Sequence, residues 1–450
     1  MIIPRTAGTG FVFLLLAGLS ACVPNQAYRT IIGPCKDPIP TTCSVQLIRS
    51  TLDTKPVSIP MAFIEFDDFG QAFNLAQIGA AEKVIKDEKS AHKRVVTILF
   101  IHGWKNNASD DSGNVPGFRY FLQQIQPNLQ ALGPDVAVVG VYFAWRGNVT
   151  NLPGAQDLSY WNRRDTATYI PGSNMSEALL RVALAAKGPE YRDKTSTLIV
   201  VGHSFGGLVL ERTVTQYLTR RAVENPGGFY PFADLLVFLN EAAAATEGIQ
   251  LLTMFKQHYV PEKSLLPKQV PVILSITSQG DLATGVVLPI GQGASLIKKS
   301  VRDYGPPYPP DPFGIASQKT YFLRSAAHIP QLQSHQVGTD DLKAAYDGPA
   351  GYTCVNISVS GRDPKPYYVV RRDNAANDTP YWVMQMPVEI VPDHSDIFRP
   401  EFATLMYGFL LRQGADEKPP SDKCYGSSGV LEGDQKPRIE NMQRMISATK

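Results

Sequence analysis

Apolar residues in this chain gather in short uninterrupted runs, and the intervals between the runs are long enough for crossover helices. Val95 to Ile101 is one such run, rich in β-branched residues, the pattern of a strand covered on both faces of a parallel sheet. Val136 to Phe143, Thr197 to Val201, Leu235 to Leu239 and Val270 to Ile276 repeat it. This βαβ series predicts an α/β fold with a mostly parallel, doubly wound sheet. Upstream, Val57, Ile59, Met61 and Phe63 alternate with smaller or polar residues and read as a half-buried strand, which Pro60 would confine to an edge. Gln71 to Glu88, rich in Ala, Glu and Lys and free of Pro, reads as a helix. Trp382, Met384, Met386 and Val388 alternate in a last strand, and Phe402, Leu405, Met406, Phe409 and Leu410 then follow at helical spacing.

Two segments interrupt the series. Residues 148–178 hold Tyr160, Trp161 and Tyr169 among polar positions, and residues 286–380 include the proline-rich stretch from Pro306 to Pro312. Both follow strand ends, where open α/β sheets keep their ligand crevice, so both are candidate lids or substrate walls. Plain packing of the three aromatics, and surface decoration for the second segment, are equal alternatives. Residues 57–415 make the organised domain, residues 22–56 a polar, proline-bearing tether ending in a strand region, and residues 416–450 a polar tail. Composition changes this picture little: 44% of the 450 residues are hydrophobic and 19% charged, as in an ordered globular chain. The 43 Lys+Arg and 41 Asp+Glu leave a net charge of +2 with no run of like charge, which sets nucleic-acid binding and a polybasic membrane patch aside.

The N-terminus stands apart from the fold. Arg5 precedes the apolar run Phe11 to Leu19, too short for a membrane span and placed as in a secretory signal over residues 1–21. Leu19-Ser20-Ala21-Cys22 resembles the lipobox of bacterial lipoproteins. That resemblance implies lipidation at Cys22, with a diacylglyceryl thioether and an amide-linked acyl chain. With Val23 rather than Asp next, it also implies the outer membrane, facing the periplasm. An uncleaved anchor and an ordinary secreted chain are the alternatives. Five Cys less Cys22 leave four. Cys35 and Cys43, eight positions apart, are the first expected disulfide, and Cys354 with Cys424 follows by elimination. No cysteine or histidine spacing suggests a metal, and none is expected.

Gly202-His203-Ser204-Phe205-Gly206 follows the strand at Thr197 to Val201 and precedes a helical face of Leu210, Val214, Tyr217 and Leu218. A strand-to-helix turn this tight needs glycine at its flanks and holds the serine exposed. In this context the chain resembles the α/β-hydrolase superfamily over roughly residues 57 to 412, with Gly202, His203 and Gly206 shaping the nucleophile elbow and no cofactor implied. Ile101-His102-Gly103-Trp104 is similar to the His-Gly element of that superfamily, which implies that the oxyanion hole is made by the amides of Trp104 and Phe205, with His102 structural. The superfamily order of serine, acid and histidine leaves His328, His335 and His394 as bases. His394, in the loop between the last strand and the last helix, fits best. Asp281, directly after the run ending at Ile276, is the favoured acid, with Glu241 its competitor.

These residues together imply a Ser204-His394-Asp281 enzyme cleaving a small-molecule or lipid acyl ester, attached to the membrane through Cys22. A non-catalytic scaffold of the same fold and an acyltransferase are the alternatives.

Overall fold

A computed structural model of the chain describes residues 23–35, 41–50, 57–130, 135–150, 155–224, 231–258, 271–295, 318–344, 353–357, 365–372 and 379–413. The signal, Cys22, the pairing of Cys354 with Cys424, the proline-rich stretch and the tail at 416–450 fall outside them.

The strands of the main sheet are β1 (Ile31–Pro34), β2 (Cys43–Arg49), β3 (Ser58–Glu65), β4 (Arg94–Ile101), β5 (Val136–Ala144), β6 (Ser196–His203), β7 (Leu235–Leu239) and β8 (Ile273–Ser278). A small antiparallel sheet holds β9 (His335–Gly338), β10 (Thr353–Ile357) and β11 (Lys365–Arg371), and β12 (Tyr381–Met386) returns to the main one. The nine-stranded order is β1-β2-β3-β5-β4-β6-β7-β8-β12. From β3 onward every pairing in it is parallel. The α/β class and the mostly parallel sheet are therefore as the apolar runs predict.

Both faces are covered, which is why the strands are continuously apolar. In β4, Val95, Leu99 and Ile101 pack on one side, while Val96, Ile98 and Phe100 pack on the other. The first side is closed by helices α1 (Leu75–Ala91), α4 (Asn174–Lys187), α5 (Phe205–Glu224) and α6 (Ala245–His258). The opposite side carries α2 (Asn114–Gln130) and α8 (Pro400–Gln413), through Phe118, Leu122, Phe402 and Phe409 among others. Between them in sequence run α3 (Tyr160–Tyr169) and α7 (Leu288–Ser295), at the carboxyl edge of the sheet. Neighbouring β4 and β6 send their following helices to opposite faces. The carboxyl ends of those two strands thus flank a crevice of the kind that binds ligands in open α/β sheets.

Three expectations change. The segment expected as a tether to residue 56 supplies β1 and β2, with β2 antiparallel to β3, so the folded unit begins well before residue 57. Its few apolar side chains hid this, because polar contacts hold it. Arg29, with a fully buried side chain, sends Nη2 to Asp110 (2.7 Å) and Nε to the Ala108 carbonyl (2.9 Å), and its guanidinium lies 4.0 Å over the Phe63 ring. Its amide and that of Tyr28 donate to the Glu65 carboxylate, 2.7 Å each. Second, β3 is internal. Pro60 is tolerated there because pairing with β5 starts one residue later, at Met61. Third, part of the segment 286–380 is the small sheet, whose Val337, Ile357, Tyr367 and Val369 join the core on the α2 and α8 side.

Cys35 and Cys43 are disulfide-bonded with Cα atoms 6.3 Å apart, as their spacing predicts.

If residues 23–49 are integral to the fold, unpairing Arg29 will destabilise all of it. Arg29→Ala, which removes the donor to the Ala108 carbonyl and leaves Asp110 with Arg119 alone, is expected to lower the unfolding free energy by about 3 kcal/mol in urea titrations. A change under about 0.5 kcal/mol would return the segment to a loose tether.

Candidate active site

The site begins with a backbone that only certain residues tolerate. Ser204 adopts φ of 56° between the end of β6 and the start of α5, a left-handed conformation that costs a non-glycine residue about 1 kcal/mol or more. The turn is so close to its neighbours that a Cβ at 206 would overlap the Ile101 carbonyl and lie 2.6 Å from that of His102. One at 202 would meet the backbone of Gly206 and Gly207. Ser204 is pinned by its amide, which donates to the Leu239 carbonyl (3.1 Å), and by its carbonyl, which accepts from Gly207 (3.0 Å) and Ala242 (3.1 Å).

His394 and Asp281 converge on this serine from 190 and 77 residues downstream. Ser204 Oγ lies 2.8 Å from His394 Nε2, and His394 Nδ1 lies 2.9 Å from both carboxylate oxygens of Asp281. A carboxylate can only accept, so the imidazole proton sits on Nδ1 and Nε2 is left to accept from the serine hydroxyl. Asp281 has a fully buried side chain, and burial pushes its carboxyl up. Bonds from His394 and from the hydroxyl (2.6 Å) and amide (3.0 Å) of Thr284 outweigh that and hold it below the usual carboxylate value.

The competing residues lie elsewhere. Glu241 is buried behind the elbow, accepting from Ser275 Oγ at 2.6 Å, and burial pushes its carboxyl up to about 8. His328 reaches Thr284 Oγ1 (3.0 Å) rather than the serine, and His335 stacks on Trp382 at 3.8 Å between centroids. His102 is buried, donating from Nδ1 to the Gly103 carbonyl (2.8 Å) and accepting on Nε2 from the Trp145 amide (3.0 Å). Compared with protein-family models, curated proteins and solved structures, the chain matches none of them.

Trp104 and Phe205 flank the serine from two strands. Gly103 approaches so closely that a Cβ there would be 2.6 Å from Ser204 Cβ. Among the described residues neither the Trp104 nor the Phe205 amide donates in a backbone hydrogen bond outside regular elements, and Phe205, at the first position of α5, has no intrahelical acceptor. Tyr160 closes the cluster, 5.4 Å from Trp104 and 5.3 Å from Phe205 between centroids, with Trp161 edge-on beyond it at 5.1 Å. Tyr169, grouped with these two on sequence, instead points to solvent, at 73% exposure.

Asn240, which the sequence did not single out, and His203 of the elbow hold the histidine loop. Asn240, fully buried with φ of 46°, donates from Nδ2 to the carbonyls of Asp393 (3.0 Å) and His394 (3.1 Å) and accepts from the Ser278 amide (2.8 Å). His203 donates from Nε2 to the same His394 carbonyl at 2.7 Å. The available signal was an Asn directly after a strand, a residue that tolerates left-handed φ, but the neighbouring Glu241 drew the attention.

Asn240→Ala removes one of those two anchors without touching the reacting atoms. If the site turns over an ester, the substitution is expected to lower kcat by about 10- to 100-fold with KM little changed, as steady-state kinetics would show; an unaltered kcat would make Asn240 a packing residue.

The buried imidazoles also set an acid limit. Burial lowers His102 to about 4 and, together with the neighbouring His394, His203 to about 3. The unfolded chain takes up these protons below about pH 6.5. Stability is therefore full above that pH and falls as pH drops toward the folded values, by about 1.4 kcal/mol per group for each pH unit. Urea midpoints at pH 7, 6 and 5 are expected to decline along that slope, and less steeply in His203→Gln. Equal slopes would place the acid sensitivity elsewhere.

Proposed function

We propose that the chain is a serine hydrolase of the α/β-hydrolase fold, cleaving an acyl ester through an acyl-enzyme and held at the bacterial outer membrane by a lipid on Cys22. The observation that carries the enzymatic part is the unbroken relay from Ser204 Oγ through His394 to Asp281. Its chain order of serine, acid and histidine, on a strand-turn-helix elbow with a His-Gly loop beside it, supports the superfamily. The lipid anchor rests on the lipobox-like Leu19 to Cys22 and is tested by mass analysis of the mature N-terminus.

In this reading Ser204 Oγ attacks the ester carbonyl as its proton passes to His394 Nε2. The carbonyl oxygen, now negative, is met by the amides of Trp104 and Phe205, which are fixed before reaction and act in a site shielded by Tyr160. The ester C–O bond then breaks, and His394 returns the proton to the leaving alcohol. Water repeats the sequence on the acyl-serine, giving its proton to His394 and releasing the acid. Asp281 holds the tautomer and stabilises the imidazolium throughout.

A panel of p-nitrophenyl esters from acetate to palmitate, with a fluorophosphonate probe, tests this. Wild type is expected to take up the probe at Ser204. Ser204→Ala and Ser204→Ala/His394→Ala should be equally inactive, each down roughly 10⁴-fold or more, because the residues act as a unit. A folded wild type that takes up no probe and cleaves no ester would favour the non-catalytic scaffold; activity surviving in His394→Ala would remove it as the base.

A further inference from the structure

We propose that the carboxyl edge of the main sheet lies directly against the bilayer that holds the Cys22 lipid, so that Ser204 draws acyl lipids from the membrane itself. This rests on the anchored-hydrolase reading above and adds to it an orientation and a substrate class.

The first observation is the absence of slack. Val23, one peptide bond from Cys22, is only 4% exposed. Its amide donates to the Val149 carbonyl at 2.9 Å, and its own carbonyl accepts from Nε (3.0 Å) and Nη2 of Arg146. A lipidated Cys22 would therefore leave the folded body at once, within about 3.8 Å of a pinned residue. The anchor fixes which side of the protein meets the membrane.

That side is the side of the active site. Arg146 and Val149 follow the carboxyl end of β5, and the Gly147 carbonyl accepts from the Lys105 amide at 2.9 Å, next to the proposed oxyanion donor Trp104. Arg163 of α3 donates to the Arg146 carbonyl (2.7 Å) and to Asp68 (2.6 Å), which also binds Arg146 (3.1 Å). The exit point of the anchor, the Trp104 loop and the helix bearing Trp161 are thus one hydrogen-bonded unit.

The third observation is what this edge exposes. Leu158 is 82% exposed, Leu282 72% and Ile290 69%, with Trp161, Val286 and Val287 about half-exposed. These two groups are contiguous: a Cβ at Gly291 of α7 would lie 2.9 Å from the Tyr160 ring and 3.3 Å from that of Trp161. Leu282 to Ser295 contains no charged residue. With the Lys105–Asp157 ion pair at its Leu158 end, this largely apolar rim beside the nucleophile is costly in water, and is stabilised when seated among acyl chains beneath the headgroups.

The test uses the full lipidated chain in phosphatidylethanolamine and phosphatidylglycerol vesicles, with and without lipid brominated in its acyl chains. Bromine quenches tryptophan only on contact, and Trp145 and Trp382 are buried. Trp104 at the same edge is half-buried, so the expected result is a loss of emission that falls by more than half in both Trp161→Phe and Ile290→Asp, with thermal melts as the fold control for both variants. Emission unaffected by the brominated lipid, while Ser204 in the same vesicles still takes up fluorophosphonate, overturns the orientation and leaves the hydrolase reading standing. Lipid quenching without labelling overturns the hydrolase reading and the substrate class with it. Shielding of Trp161 that grows with protein concentration and not with lipid would assign the rim to a second copy of the chain and overturn the proposal, as would vesicle association that survives Cys22→Ser.

Discussion

The close approach of β4 and β6 at their carboxyl ends is the constraint from which the rest of the site follows. Ser204 can stand at φ of 56° only because Gly202, Gly206 and Gly103 carry no side chain where the backbones of the two strands meet. That contact brings the loop of Gly103 and Trp104 against Ser204 and Phe205. Strain at such a residue persists only where its surroundings over-determine it. Here they do so through four backbone hydrogen bonds on Ser204 and the overlap that any added Cβ would create.

Positioning the histidine is a separate problem, because His394 belongs to a loop that makes no strand of its own. The solution is polar rather than apolar. Asn240 and His203, both beside the elbow, converge on the His394 carbonyl, while Ser278 Oγ holds the Val391 carbonyl at 2.5 Å. The loop is thus fastened to β6, β7 and β8 together, the strands that deliver Ser204 and Asp281. Holding His203 neutral through burial makes this fastening firm at neutral pH and sensitive to acid.

The parallel strands were legible in the sequence for a plain reason: both of their faces are buried, so every position is apolar and the run stands out. The elbow was legible because its glycines are dictated by sterics. β1 and β2 were not, since Val45 and Ile48 join the apolar clusters on opposite faces while the rest is held by Arg29, Glu65, a disulfide and the ladder to β3, and polar hydrogen bonding has no periodicity to read. Pro60 misled for a related reason, because pattern alone does not say where along a strand its partner's ladder begins. Asn240 escaped because its function lies in two contacts with residues more than 150 positions away, which no local motif encodes.

The hydrogen bonds behind Asp281 give the relay a direction. Thr284 has one hydroxyl proton, and the only acceptor at 2.6 Å is Asp281, so that proton points at the carboxylate. The other contact of the same oxygen, to His328 Nε2 at 3.0 Å, must then run the opposite way, with the imidazole donating. Burial lowers the pKa of His328, so it does this as a neutral ring carrying its proton on Nε2. Two further dipoles thus align toward a buried carboxylate that already accepts from His394. Each bond stabilises the charged form of Asp281 against its own burial, and in the proposed mechanism a carboxylate kept ionised is what an imidazolium at His394 requires while the serine has given up its proton. His328, weighed on sequence as an alternative base, thereby has a different place: it stands behind Asp281 through Thr284, three hydrogen bonds from His394.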